Sequence, residues 1–314
     1  MEKENSILQR VLKAVGYYAV KSKWRQKRTI EQWAREDAAR REALKQDILA
    51  IKGRVLPEVK EKGNLTVSLT THGRRVADFA PFSICGILKQ TKLPYRIVLN
   101  LDKTKWSDAE LPDLIKRLQV AGLEVNYCED VGPHTKFLPA LEKYPDDVIV
   151  TIDDDIVYSE TMIEQLWHEY EHSDKRTIIC HKARAIRRDA EGKLLLYSQW
   201  QDGYDTEGLK AAVGTLSPYG FRGVLYPPHI FSKEVFNADV YRKICPKADD
   251  IWFTIVELLD GIAVKSIEHL HSEYHDIDRV NEFTAAGSDA LHFQNSAQGQ
   301  NDVQLAALKK HYDL

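Results

Sequence analysis

The chain has 314 residues, 43% of them hydrophobic, with a formal net charge of −3 at pH 7, enough to bury a core in one large α/β domain with an appendage or in two ordinary domains. It contains no run of about 18 apolar residues and no leader of basic start, apolar stretch and small-residue cleavage site, so neither a spanning helix nor secretion is expected and the cytosol is the default compartment. Its four cysteines, Cys85, Cys128, Cys180 and Cys245, stand far apart and read as reduced thiols rather than as zinc ligands.

Charge is unevenly spread. Residues 1–60 carry 15 Lys/Arg against 8 Asp/Glu, a net +7, which leaves −10 for the remainder. From Ile7 to about Ile51 the pattern is helical, with Ile7, Leu8, Val11, Leu12, Val15 and Tyr18 at i, i+3, i+4 spacing and no acid between Asn5 and Ile30. A basic amphipathic helix with Tyr17, Tyr18 and Trp24 suits an anionic membrane surface, here the inner face of the plasma membrane through residues 5–30. Packing on its own domain, or pairing with a second copy, is the competing reading. Nucleic acid is not expected as a partner, because the rest of the chain is acidic and carries no nucleic-acid motif.

Lys60 to Asn64 reads as a turn that separates a helical extension, 1–60, from a domain spanning 61–314. Beyond it the period changes. Leu65–Thr70, Tyr95–Leu101, Leu123–Tyr127 and Val148–Ile152 read as strands, while Phe79–Gln90, Asp108–Ala121 and Lys136–Lys143 read as helices between them. The alternation predicts βαβ units and a mostly parallel, Rossmann-like sheet flanked by helices, with ligands beyond the carboxyl ends of the strands. Further on, Thr161–Glu171, Ala248–Leu259 and Asp302–His311 read as helices, and Thr177–Cys180 and Leu194–Trp200 as extended segments.

Asp153, Asp154 and Asp155 follow the fourth predicted strand directly. Adjacent carboxylates disfavour one another's ionisation unless a cation is present, and Mg2+ or Mn2+ often bridges one or two carboxylates to substrate phosphates. A solvated acidic turn that caps the next helix is the plainer reading.

The ordered series Val67-Ser68-Leu69-Thr70-Thr71-His72-Gly73-Arg74, Lys136 to Leu141, Asp153-Asp154-Asp155, Gly223 to Pro228 and Ala248 to Trp252 resembles the GT-A class of nucleotide-sugar-dependent glycosyltransferases. More narrowly, it resembles bacterial family-2-like enzymes of surface polysaccharide assembly. The resemblance covers about residues 64–260 and implies a nucleotide-binding half, 61–157, and an acceptor-binding half with a tail, 158–314. It implies that Thr70, His72, Arg74, Asp102, Lys136, Asp153 and Asp154 line the nucleotide-sugar site, and that Asp155 and Asp153 hold Mn2+ or Mg2+ on the diphosphate. A C-terminal histidine, His271 or His269, completes the metal shell in many such enzymes.

Negative charge develops on the departing diphosphate, and the acceptor hydroxyl needs a base on the opposite face of the sugar. Asp250 and Asp249, paired at a helix start, are the candidates, and direct displacement assisted by a base inverts the anomeric carbon. Gly223, Tyr226 and Trp252 are candidate acceptor contacts, since glycine permits close approach and an aromatic face stacks on a sugar. A turn packed under the sheet is the alternative there. The expected activity is transfer of a sugar from a nucleoside-diphosphate donor to a glycan or lipid-linked glycan. Nucleotidyl or phosphoryl transfer is the alternative reaction, though no glycine-rich phosphate loop occurs. A non-catalytic glycan-binding scaffold on the same fold is the third reading.

Overall fold

The structure is a computed structural model that describes residues 27–203, 205–206, 211–270, 273–280 and 299–314. Most of the basic segment, residues 5–26, lies outside the described residues.

Helix α1, residues 27–50, turns its side chains at 30, 33, 37, 41, 44 and 48 inward, the i, i+3, i+4 stripe of an amphipathic helix. Leu44 and Ile48 are buried in the main core, so this part of the extension packs on the domain. No helix among the described residues is long and apolar enough to cross a membrane.

Four parallel strands, β1 (Leu65–Thr70), β2 (Arg96–Asp102), β3 (Leu123–Cys128) and β4 (Val148–Thr151), alternate with helices α2 (Arg75–Asp78), α3 (Ala80–Ile87), α4 (Asp113–Ala121) and α5 (Leu138–Lys143). The second half adds β5 (Ile156–Tyr158), α6 (Met162–Glu171), β6 (Thr177–Cys180), β7 (Ala183–Ala185), β8 (Ala212–Val213), β9 (Leu216–Pro218) and β10 (Val224–Tyr226). It closes with α7 (Ala238–Ile244), α8 (Asp249–Leu259), β11 (Ala263–Ser266), β12 (Tyr274–Asp276) and α9 (Gln300–Tyr312). The eight-stranded sheet has the order β3-β2-β1-β4-β10-β6-β11-β8. In it β10 runs antiparallel to β4 and β6, and β8 runs antiparallel to β11. The expected mostly parallel α/β sheet flanked by helices is the observed fold.

Strand alternation sorts side chains between two cores. Leu65, Val67 and Leu69 of β1 and Val148 and Val150 of β4 enter one, which lies under α1, α3, α4 and α6. Ile149, Ile178, Val224 and Tyr226 enter the other, beneath α5, α7, α8 and α9. Each fully buried Leu, Ile or Val stabilises by about 1.5–3 kcal/mol. On the second face, β1 presents the buried polar residues Thr66 and Ser68 instead. Ser68 donates to the Lys136 carbonyl at 2.6 Å, and Asn100 donates to Ser68 Oγ at 3.0 Å. The polar side of a buried strand thereby fixes the backbone that carries Lys136.

The structure differs from the sequence-based elements in four places. The helix expected over 79–90 is α3, Ala80–Ile87, and a separate short helix, α2, precedes it; the two meet at Phe79, whose backbone has φ −129° and ψ −59°. Helix α4 begins only after Pro112, whose extended backbone (φ −60°, ψ 149°) interrupts the pattern read from Asp108. Residues 197–199 form a short 3-10 turn inside the segment read as extended. The stretch read as a wall or turn at 223–228 contains β10, which sits between β4 and β6.

Candidate active site

The carboxyl ends of β1 and β4 open onto a cluster of five aspartates, one lysine and one arginine. The chain leaves β4 through Ile152, whose N–H donates to the Ser68 carbonyl at 3.1 Å, and then turns through Asp153–Asp155 into β5. The backbone of that turn is held on several sides. The Asp153 N–H donates to Tyr158 Oη at 2.9 Å, and Tyr158 Oη donates to the Phe221 carbonyl at 2.9 Å. Ser83 Oγ donates to the Asp153 carbonyl at 2.9 Å, and the Ile277 N–H donates to the Asp155 carbonyl at 2.8 Å. A turn fixed this way holds its side chains at set positions, as a binding site requires.

Two cations divide the carboxylates between them. Lys136 Nζ lies 3.2 Å from Asp153 Oδ1 and 2.9 Å from Asp249 Oδ2, with only 11% of its side chain exposed. Burial alone would discharge this amine, but Asp153, Asp249 and Asp250 outweigh it and hold its pKa well above the usual lysine value. Arg75 takes Asp154 in a bidentate pair, with Nε at 2.9 Å from Oδ2 and Nη2 on Oδ1, and reaches Asp155 Oδ2 at 2.8 Å. Such fork geometry suits arginine rather than lysine.

Negative charge remains in surplus. Burial, with Asp154 beside it, pushes Asp155 up to about 7. Burial and the neighbouring Asp249 push Asp250 up to about 7 as well. Asp249 is also buried, yet Lys136 and then His134 hold it below the ordinary carboxylate value. One member of the pair stays ionised while the other is poised near neutrality, the division of roles seen where two acids share a catalytic site.

Asp250 is aimed by its backbone neighbour: the Gly220 N–H donates to Asp250 Oδ2 at 3.1 Å. A Cβ on Gly220 would collide with Asp250 Oδ1 and come within 2.6 Å of Lys136 Nζ. Gly220→Ala is therefore expected to displace Asp250 and lower kcat by at least about tenfold, since small misplacements of reacting groups are costly. Steady-state kinetics beside a denaturation curve will separate this from unfolding; wild-type kcat in the variant would show that Asp250 needs no such alignment.

The other residues singled out from sequence fall as follows. Thr70 and Asp102 lie at the same carboxyl edge. Thr70 Oγ1 donates to the Asn100 carbonyl at 3.0 Å, and Asp102 binds Lys105 at 2.9 Å and Thr104. The Lys105 and Thr104 bonds hold Asp102 down to about 2. His72 is exposed. Arg74 is not brought to the cluster: its side chain is 71% exposed and pairs with Asp78 at 4.0 Å, and the next residue, Arg75, takes the place expected for it.

Gly223, with φ +90°, stands at the cleft end of β10. Tyr226 and Trp252 do not face the cleft. Tyr226 lies at the far end of β10, 4% exposed, with its ring stacked 4.2 Å from Phe137. Trp252 is fully buried and donates Nε1–H to the Val235 carbonyl at 3.1 Å. Both are core residues, so the acceptor contacts read for them are corrected: neither leaves an aromatic face for a sugar. His271 lies outside the described residues, and His269 Nδ1 sits 3.0 Å from Asp205 Oδ1.

Sequence reasoning missed Arg75, Tyr158 and Ser83 as parts of this site, because their signal lay only in the fold. Gly220 opens the segment 220–228 that reads as an acceptor wall, but its hydrogen bond to Asp250 is not visible in the sequence.

Among the described residues no group of three or more His, Cys, Asp or Glu is arranged to hold a metal ion. Asp153 and Asp155, 31% and 34% exposed, nonetheless offer carboxylate oxygens to the cleft, the donor type that Mg2+ and Mn2+ take. The residues fit such an ion in kind and fall short in number, which is the situation of an ion completed by substrate phosphates.

The fold and the site together define an α/β protein with a charged cleft beyond the carboxyl ends of its parallel strands. No protein-family model and no curated protein matches the chain. Among solved structures it is similar to that of S. aureus TarS 1–349 in complex with UDP, at 15% identity over 80% of this chain and 72% of that one, with a TM-score of 0.43. It is similar also to S. aureus TarS 1–349 (15% identity, 79% and 72% coverage, TM-score 0.41) and to S. aureus TarS (16%, 79% and 43%, TM-score 0.41).

Proposed function

We propose that this chain is a metal-dependent glycosyltransferase that moves a sugar from a nucleoside-diphosphate donor to a glycan or lipid-linked glycan of surface polysaccharide synthesis, with inversion. One observation carries the reading: Lys136 joins Asp153, on the turn after β4, to Asp249, at the start of α8, so the expected donor carboxylates and the expected base share one cleft.

In this reading Asp153 and Asp155 would hold Mn2+ or Mg2+, which would supply electrostatic stabilisation of the departing diphosphate. Lys136 adds a fixed positive charge next to the same phosphates. Arg75 offsets the charge of Asp154 and Asp155 until the donor arrives and holds both side chains in place. Asp250, aimed by the Gly220 N–H, accepts the proton of the acceptor hydroxyl as that oxygen attacks the anomeric carbon from the side opposite the diphosphate. The rest of the donor is held by Thr70, Asp102 and His72.

Because the described carboxylates are too few to hold an ion alone, Mn2+ is expected to bind weakly without nucleotide and firmly with it. Calorimetric titration of a panel of nucleoside diphosphates, with and without Mn2+, tests this on wild type and Asp155→Ala. Metal-dependent binding of one nucleotide that is lost in the variant supports the reading and names the base of the donor. Binding of none by wild type rejects it. Product analysis separates sugar transfer, which releases a nucleoside diphosphate, from nucleotidyl transfer, which releases pyrophosphate.

A further inference from the structure

Two positions in the inward stripe of α1 break its apolar pattern, the half-buried Arg41 and the fully buried Asp37. Between Trp33 and Leu44, where the helix meets the domain, stands Asp37, only 1% exposed. A carboxylate buried there is costly unless it is fully paired. Its partner comes from 242 positions away. The Arg279 backbone N–H donates to Asp37 Oδ2 at 2.9 Å and Arg279 Nε to Oδ1 at 2.8 Å, while Arg279 Nη2 adds a 2.7 Å contact to the same carboxylate and a 2.8 Å bond to Glu36. Nearby, Arg41 reaches Asp278 at 3.5 Å, and the Arg279 guanidinium lies 5.6 Å from the centre of the Trp33 ring.

What Arg279 anchors leads back to the active site. The residues just before it form β12, which among the described residues pairs only with β5: Tyr274 with Tyr158, His275 with Val157 and Asp276 with Ile156. The next residue, Ile277, donates its N–H to the Asp155 carbonyl at 2.8 Å. Strand β5 ends at Tyr158, whose hydroxyl receives the Asp153 N–H. This ribbon has three residues per strand and stands outside the main sheet. Two-stranded ribbons are marginal by themselves and need packing to persist.

We infer that the Asp37–Arg279 pair is a positioning element of the active site: it fastens 274–279 to α1 and so fixes the turn that presents Asp153 and Asp155. The inference rests on the proposed donor site at that turn. It gives α1 a part in the reaction apart from any membrane contact of the residues before it. Neither Asp37 nor Arg279 is a catalytic residue; both act through the backbone of 274–277.

The test compares full-length wild type with Asp37→Asn, Arg279→Gln and Arg279→Lys. Asp47→Asn serves as the control, because it breaks a different α1 contact, to Lys89, that has no connection with β12. Amide hydrogen exchange at Tyr274–Ile277 and calorimetric affinity for the nucleoside diphosphate with Mn2+ are read on each, beside a denaturation curve.

The expected result is faster exchange at Ile277 and roughly 10- to 100-fold weaker nucleotide binding in Asp37→Asn and Arg279→Gln, the usual scale for supports of a metal-bound ligand. Arg279→Lys should recover part of both, and Asp47→Asn should change neither. Exchange at Ile277 that stays at the wild-type rate in both charge-removing variants overturns the proposal. So does faster exchange with unaltered affinity, which would leave the pair a purely structural tie. Should Asp37→Asn fail to fold, Arg279→Gln carries the same two readouts. Wild type that binds no nucleotide would reject the donor-site reading, and with it the positioning role, while exchange at Ile277 would still report whether the pair secures the ribbon.

Discussion

Asp250→Asn is expected to lower kcat by about 10²- to 10⁴-fold, the usual contribution of a general base, with nucleoside-diphosphate affinity unchanged. Asparagine keeps an oxygen for the Gly220 N–H but cannot take the proton of an acceptor hydroxyl. Burial and Asp249 raise the Asp250 carboxyl to about 7, so below that pH it holds its proton and is idle. Wild-type kcat/KM should therefore climb as pH rises through about 7, and the climb should vanish in Asp250→Asn.

Stability should move the other way. A carboxyl whose pKa is raised on folding contributes stability that is fully present below its unfolded value, about 4, and is lost progressively as pH rises from there through its folded value. Above pH 7 wild type bears the ionised, buried form and the asparagine variant does not. Asp250→Asn is accordingly expected to be more stable than wild type at pH 8 while being nearly inactive, a trade seen where catalysis needs a strained or poorly solvated group. Thermal melts of wild type and variant at about pH 4 and at pH 8 check this, the variant's advantage being expected only at the higher pH; an unchanged pH profile of kcat/KM in the variant would remove Asp250 from the base role.

Lys136→Ala is the second large effect. It strips the cation from Asp153 and Asp249 at once and leaves the buried Asp249 carboxylate unpaired, a change that typically costs about 3–5 kcal/mol. Asp249 is 8% exposed and has no comparable contact to fall back on among its described partners, since Lys136 supplies its only ion pair there. Urea denaturation should show the loss as a lower midpoint with unchanged slope. Lys136→Ala should also lose nucleotide binding, whereas Arg74→Ala, which touches only the exposed Asp78, should lose neither. A midpoint equal to wild type would mean that the aspartates exchange Lys136 for water at no cost.

Much of the nucleotide half could be read from sequence because its strands are apolar and bounded by turns, so β1 to β4 and the turn after β4 emerged from local pattern alone. The acidic triplet, Lys136 and the Asp249–Asp250 pair were legible for the same reason: each stands at the end of a regular element. Arg74 and Arg75 were not separable. They differ by about 100° of helical phase, and a helix of four residues, α2, sets which one faces the triplet.

Tyr226 and Trp252 misled because an aromatic side chain suits a sugar face and a core equally well, and only tertiary packing chose the core for both. Strand β10 escaped notice since three residues between a glycine and two prolines hold too little alternation to register. Asp37 is one charge among many on a polar helix, and nothing local marks it as buried.

The position of β10 in the sheet also bears on the order in which the molecule is built. Strands β1 to β3 are sheet neighbours joined by βαβ links and can gather through relatively short chain closures, whereas β4 must reach β1 across 83 positions. Within the main sheet the second half joins this one through β10, which pairs Val224 with Thr151 across 73 positions, and with Cys180 on its other edge. Closing such a loop must be met entropically before its contacts are gained. The acidic turn and Asp250 therefore reach one cleft only after both long closures are made, and a nascent chain that has emerged only as far as β6 lacks the opposing acid together with the Phe221 and Ile277 backbone contacts that hold the turn.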